Sequence, residues 1–222
     1  MRSSTSKTFA TLARAALGLG VLFAPMAGLA MEAPPMAHNA APFSPLRQFL
    51  KRLDAEAPPA PVQRVMVWRG ADIDGDGAAD FANPTGAAPR GHDDFGDGQF
   101  GASRDGGTRQ HEGVDYAAVA DQPVAAPLSG YVTKIGYAYP GSTLQFVEIT
   151  NPALGYVARA FYISPGVEVG QTVRLGQAIG RVESLQNHYP GITDHVHLEV
   201  MEPGGDRVNA AQLIVAKLVV KA

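Results

Sequence analysis

From residue 114 onward the chain is cut into short apolar runs with turn residues between them: 114–119, 124–126, 130–135, 144–149, 156–163, 173–175, 178–182 and 195–201. Runs this short, at this spacing, are strands joined by tight turns rather than helices, and they predict an all-β fold: an antiparallel β-sheet or sandwich core. The 25 glycines and 17 prolines agree, because both residue types punctuate turns. Residues 166–180 carry glycine at 166, 170, 176 and 180 with valine or isoleucine between. They read as one tight turn after another, the glycines supplying positive φ. With 45% hydrophobic against 18% charged residues in 222, the chain can fill one main core.

The first thirty residues follow a different rule. Arg2, Lys7 and Arg14 precede an apolar stretch at 15–24, and Pro25 and the small residues of 27–30 close it. A basic start, a short apolar core and a small-residue end predict a secretory signal peptide cleaved near Ala30. The apolar run falls short of the ~20 residues of a spanning helix, so no stable membrane span is expected after cleavage. Residues 31–64 form a Pro/Ala-rich linker. Inside it Leu46, Phe49, Leu50 and Leu53 follow helical spacing from Ser44-Pro45, which predicts a short helix. An Asp/Gly-rich extension covers 65–94, the β-sheet core domain 95–215 and a tail 216–222. The run 213–220 is open to either a helix or an edge strand.

Charge and cysteine usage exclude several function classes. The balance of 18 basic against 21 acidic residues gives a net charge of -3 without a basic patch, so nucleic acid is not an expected partner. Without residues 1–30 the balance is 15 basic against 21 acidic, and ten of the acidic residues fall between 72 and 115. The chain has no cysteine, which removes disulfides, thiol catalysis and Cys-ligated zinc. Any zinc must be held by His, Asp or Glu.

Two groups carry ligand chemistry. In Asp194-His-Val-His-Leu-Glu-Val200 the alternation puts His195, His197 and Glu199 on one face of a strand and Val196, Leu198 and Val200 on the other. Histidines two apart on a strand lie roughly 6–7 Å apart at Cα, within reach of one small site. His111 and Asp115 stand four apart, roughly 13 Å on a straight strand, and Gly113 between them lets the backbone bend. The two groups together offer two His and one Asp, or three His and one Asp. Three ligands and an open position is the catalytic zinc arrangement. A mononuclear iron triad also takes two His and a carboxylate; zinc is the expected metal. Further upstream, Asp72, Asp74, Asp76 and Asp80 alternate around Gly77 as calcium-loop ligands do. The place of the bidentate Glu is taken by Asn83, so the segment reads first as a solvated Asp/Gly turn and second as a calcium loop.

His111-x-x-x-Asp115 followed by His195-x-His197 resembles the signature of the lysostaphin-type zinc metalloendopeptidases, which cut peptide bridges in peptidoglycan. The frame agrees: Phe100-Gly-Ala-Ser-Arg-Asp-Gly-Gly107, Pro123-Val-Ala-Ala-Pro-Leu-Ser-Gly-Tyr-Val132 and the turns of 166–180. The resemblance spans about residues 95–215. It implies a duplicated hybrid motif fold with a groove floored by an antiparallel sheet. It further implies His111, Asp115 and His197 as zinc ligands and His195 as the catalytic histidine. Where the family carries a second catalytic histidine, this chain reads Ala160-Phe-Tyr-Ile-Ser164, which places Tyr162 there. That variation is similar to the branch containing the vertebrate leukocyte cell-derived chemotaxin, regarded as a binding protein. A tyrosine hydroxyl can support an oxyanion, but with an ordinary pKa of ~10 it is a poor base.

The expected function is therefore that of an exported zinc metalloendopeptidase of the periplasm or cell envelope, acting on peptidoglycan cross-bridges or stem peptides. The alternative is a zinc-stabilised binding module for wall peptides or a protein partner. Two further residues enter by the same resemblance. His188 could compensate for the missing histidine, and Asn83 could occupy the open zinc position, as an upstream asparagine does in latent members.

Overall fold

The computed structural model describes residues 44–55 and 61–221; the expected signal peptide and the start of the linker lie outside the described residues. The chain divides into two units, Met1–Pro59 and Ala60–Ala222. In the first, the expected short helix is present as α1 (Ser44–Ala55). Pro45 sits in its first turn, where a missing N–H costs nothing. Leu46, Phe49, Leu50 and Leu53 follow the helical repeat along it, and all four are exposed. Among the described residues, no helix is long and apolar enough to cross a membrane.

The second unit is built of strands, as the runs predict. In chain order they are β1 (Arg64–Gly70), β2 (Ser103–Arg104), β3 (Arg109–Gln110), β4 (Val114–Ala117), β5 (Pro123–Ala125), β6 (Gly130–Tyr137) and β7 (Gln145–Asn151). There follow β8 (Tyr156–Phe161), β9 (Ile163–Pro165), β10 (Thr172–Val173), β11 (Ala178–Val182), β12 (His195–Met201) and β13 (Arg207–Val208). A one-turn helix α2 (Ala210–Leu213) and β14 (Ile214–Val220) close the chain. The main antiparallel sheet runs β10-β6-β7-β8-β12-β13, with β4 also pairing β12, and a smaller sheet runs β5-β11-β9. One core joins the two sheets: Val132, Val147, Ile149, Ala158, Leu198 and Val200 from the first, Val124, Ile163, Ile179 and Val182 from the second. Each fully buried Val, Leu or Ile here contributes roughly 1.5–3 kcal/mol.

The run at 213–220 is a strand over most of its length. β14 pairs antiparallel with β1 from Ile214↔Gly70 to Val220↔Arg64, so the upstream extension and the tail belong to the same compact unit as the core. The glycine turns divide by cause. Gly170 and Gly176 have φ of 89° and 75°, as the turn reading requires. Gly180 lies outside the left-handed region, and a β-carbon there would come within 2.4 Å of the Ser164 carbonyl oxygen. That glycine is needed for close strand approach rather than for a turn.

Candidate metal centre

β12 is an interior strand of the main sheet, and its alternation decides what faces where. Val196, Leu198 and Val200 are completely buried in the core. His195, His197 and Glu199 line a groove of about 730 Å³ on the opposite face. β4 pairs with β12 in the register His197↔Asp115, and directly opposed residues of a ladder share a face. Asp115 is thereby brought against His197. His111 precedes β4 and is fastened by a pair of backbone hydrogen bonds: its N–H donates to the Ala102 carbonyl, and its carbonyl accepts from Gly101 N–H, both at 2.8 Å. Gly113 permits the approach. A β-carbon there would lie 2.6 Å from His197 Cε1 and 2.6 Å from the Leu198 carbonyl oxygen.

Three donor atoms converge. His111 Nε2 lies 2.9 Å from His197 Nδ1 and 3.1 Å from Asp115 Oδ1, while His197 Nδ1 lies 2.8 Å from the same oxygen. Ligands 2.0–2.2 Å from a tetrahedral zinc ion stand roughly 3.3 Å apart. The observed spacing is a few tenths of an ångström tighter, and the donor set of two imidazoles and one carboxylate is one zinc accepts. These residues could hold a metal ion.

Each imidazole is fixed from outside the trio. His111 Nδ1 is 2.7 Å from the Gln99 carbonyl and His195 Nδ1 is 2.7 Å from the Thr193 carbonyl. A carbonyl only accepts, so both rings carry their proton on Nδ1 and leave Nε2 free. His197 turns Nε2 toward Glu199 Oε1 at 3.6 Å, the carboxylate–histidine arrangement that orients a metal ligand. Burial alone would lower the His197 pKa, but the Asp115 hydrogen bond and the nearby Glu199 outweigh it and push it up to about 9. Burial likewise opposes the Asp115 charge, yet its close side-chain contacts with His111 and His197 hold its carboxyl well below the usual range. For His195 burial prevails over the Asp115 charge, and its pKa is lowered.

Tyr162 and His195 both line the groove, with rings edge-to-face and centroids 5.3 Å apart. Tyr162 is the single residue between β8 of the main sheet and β9 of the small one. It takes a left-handed φ of 66°, which costs roughly 1–3 kcal/mol. Its N–H donates to the Gln145 carbonyl and its carbonyl accepts from Glu183 N–H, anchoring that conformation. The kink interrupts strand alternation, so consecutive residues Phe161 and Tyr162 both line the groove. Beside the metal trio, the cross-strand row Glu199–Arg159–Glu148–Lys134 crosses the floor.

Three expectations fall away from the site. Asn83 accepts hydrogen bonds from Thr85 N–H and Gly86 N–H and donates to the Ala87 carbonyl. Its amide is consumed in its own turn, and it lines a different cavity. His188 is exposed and meets Thr143 Oγ1 at 3.1 Å, away from the groove lining. In the Asp/Gly loop, ligand atoms of Asp72, Asp74 and Asp80 come within 4.8 Å of one another, without Asp76. Their carboxylates accept from loop backbone: Asp72 from Gly75 and Gly77, Asp74 from Asp76, Asp80 from Ile73. That is an Asp/Gly turn network, and it gives calcium no support.

Sequence reasoning missed Arg90, buried at 4% exposure with its guanidinium on Asp115, and the carbonyls of Gln99 and Thr193. The first sits in a loop with no periodicity, and backbone carbonyls carry no residue-type signal. The role of Glu199 was half visible, since the alternation put it on the histidine face.

Comparison with known proteins supplies the family. The model of Peptidase family M23 matches residues 109–210, which include all three donors and His195. Leukocyte cell-derived chemotaxin-2 of Mus musculus is 32% identical over 107 residues, 48% of this chain and 69% of that protein. Myeloid protein 1 of Gallus gallus is 36% identical over 120 residues, 53% of this chain but only 36% of that protein. The catalytic domain of the antimicrobial peptidase lysostaphin from Staphylococcus simulans superposes with a TM-score of 0.42 at 23% identity. That match covers 51% of this chain and 86% of the domain. On the family match and the extent of the mouse relative, the chain belongs to peptidase family M23.

Proposed function

We propose that this protein is an exported zinc metalloendopeptidase that hydrolyses peptide bonds in peptidoglycan cross-bridges or stem peptides. The observation that carries the reading is the buried convergence of His111, Asp115 and His197 on the floor of an open groove. The signal-like residues 1–30 support export to the periplasm or envelope.

Zinc held by these three residues would supply Lewis-acid polarisation of the scissile carbonyl and a water acidic enough to attack near neutral pH. The remaining work belongs to the chain. His195 presents an unprotonated Nε2 toward the site, 3.6 Å from Asp115 Oδ1. Burial keeps that ring neutral, so it can take a proton from the attacking water and return it to the leaving amine. Tyr162 acts in the opposite sense. Burial, reinforced by the Asp115 charge, raises its pKa far above neutrality, so its hydroxyl stays protonated and donates a hydrogen bond to the developing oxyanion. At the rim, Tyr189 donates its hydroxyl proton to Tyr139 and packs edge-on to Phe95, forming an aromatic wall along which an extended peptide can lie.

Two observations favour a second reading, a zinc-stabilised binding module. The residue beside His195 is a tyrosine that cannot serve as a base, and a chemotaxin is among the relatives. Digestion of purified peptidoglycan, with and without chelator and beside His195→Ala, separates the two. Metal-dependent release of muropeptides that the variant lacks supports the peptidase. Full zinc occupancy with no release across several wall types sinks it.

A further inference from the structure

Upstream of the family match lies a strap, residues 88–98, that runs along the edge of β4 left free by β12. Arg90 N–H donates to the Asp115 carbonyl at 2.8 Å, Asp115 N–H to the Gly98 carbonyl at 2.9 Å and Ala117 N–H to the Ala88 carbonyl at 3.0 Å. The strap also reaches the loop that leads into the histidine-bearing strand β12. Asp93 Oδ2 accepts from Thr193 N–H at 3.1 Å, and the Thr193 carbonyl holds the His195 ring.

Within this strap the Arg90 side chain divides the Asp115 carboxylate. Its Nε and Nη2 both lie 3.0 Å from Oδ2, while Oδ1 alone faces the imidazoles. The far edge of the guanidinium is anchored: Nη1 donates to the Gly96 carbonyl at 2.8 Å and pairs with Asp93 Oδ1 at 2.9 Å. Arg104 adds a longer contact to Oδ2 at 3.7 Å. Packing leaves little play, since a β-carbon on Gly98 would come within 2.6 Å of Arg90 Cγ. Two donors of one planar guanidinium converging on Oδ2 hold that oxygen in place with a directionality that a single point charge lacks.

We propose that Arg90 is a positioning residue of the metal site. It ties up Oδ2, so that Asp115 offers only Oδ1 to an ion, and it couples the upstream strap to both ligand-bearing strands. The proposal rests on the metal-site reading above. Its form is that of outer-shell partners generally, whose loss costs 10–100-fold in metal affinity.

The test uses the full chain and reads metal binding rather than hydrolysis: zinc affinity by chelator competition, and the visible spectrum of the cobalt(II)-substituted protein. The parent is measured first, and failure to bind zinc there refutes the metal site itself, independently of Arg90. Given binding, Arg90→Ala should lose affinity by about 10–100-fold. Its cobalt spectrum should weaken as Oδ2 becomes free to coordinate. Arg90→Lys should recover part of the affinity without restoring the parent spectrum. Thermal melts of the metal-free variants establish folding. Should Arg90→Ala not fold, Asp93→Asn, at the near-surface end of the same guanidinium, should give a smaller loss in the same direction. Folded variants with zinc affinity within about twofold of the parent and an unchanged cobalt spectrum overturn the proposal.

Discussion

Among the described residues, two clusters bring three ligand-capable side chains together, and they make opposite use of the same chemistry. In the Asp72–Asp74–Asp80 loop the carboxylates are exposed or, for Asp80, half-buried, and turned inward on their own backbone N–H groups. In the groove His111, Asp115 and His197 are held by partners outside the trio, so their remaining lone pairs meet at one place. Proximity is therefore not what makes a site. The difference lies in which atoms the surrounding chain consumes and which it leaves free.

The largest effect should come from removing the shared member of the groove trio. Asp115→Ala takes away the one oxygen donor and leaves Arg90 buried without its main counter-charge, which costs several kcal/mol of stability in comparable pairs. Zinc binding and metal-dependent hydrolysis should both disappear, by calorimetric titration and muropeptide release. Retention of stoichiometric zinc would erase the distinction between the clusters. His195→Ala makes the finer cut. It removes a proton carrier but no donor of the trio, so zinc should stay bound while hydrolysis falls by about 10²–10⁴. Loss of zinc in that variant would move His195 from catalysis into the ligand set.

Much of this arrangement is readable before any coordinates. Period-2 alternation across 195–200 places the histidines on one face, and β4 needs only register to bring Asp115 opposite His197. Gly113 shows the limit of such reading. The sequence argument gives it a bend, whereas its absent side chain makes room for the His197 ring. The β1–β14 pairing joins segments about 150 residues apart through alternation too weak to name its partner. Tyr162 was placed by motif, but the left-handed kink that turns it into the groove has no glycine to announce it. Local periodicity records which way a residue points within an element. It does not record which loop arrives beside it.

pH sharpens the contrast, because the groove cluster contains a histidine raised by its neighbours and the loop cluster contains no histidine. His197 titrates at about 9 when folded without metal, above its ordinary value of 6.5. Its protonation therefore stabilises the metal-free protein fully below about pH 6.5, and that stability is lost as pH rises through 9. Zinc requires the neutral ring, so binding displaces this proton and the apparent affinity should fall about tenfold per unit as pH drops below 9. Thermal melts in chelator-buffered zinc should show a metal-induced rise in Tm that shrinks steadily from pH 9 to 6.5. A rise independent of pH over that window would mean that His197 is already unprotonated and is not gripped by Asp115 in the way described.

The smallest effect belongs to the loop. Asp72 accepts from Gly75 and Gly77 at 2.7 and 2.9 Å, but both donors are exposed and can turn to water once the carboxylate is gone. A net contribution of about 1 kcal/mol or less follows, and Asp72→Ala should lower Tm by roughly 2–4 °C in a unit of this size. Zinc affinity should stay within about twofold of the parent, because no atom of the loop reaches the groove trio. The measurement that could break the comparison is the same melt with calcium added. A calcium-dependent rise in Tm that Asp72→Ala abolishes would show that the loop's carboxylates release their backbone partners for an ion. The two clusters would then differ in preorganisation rather than in kind.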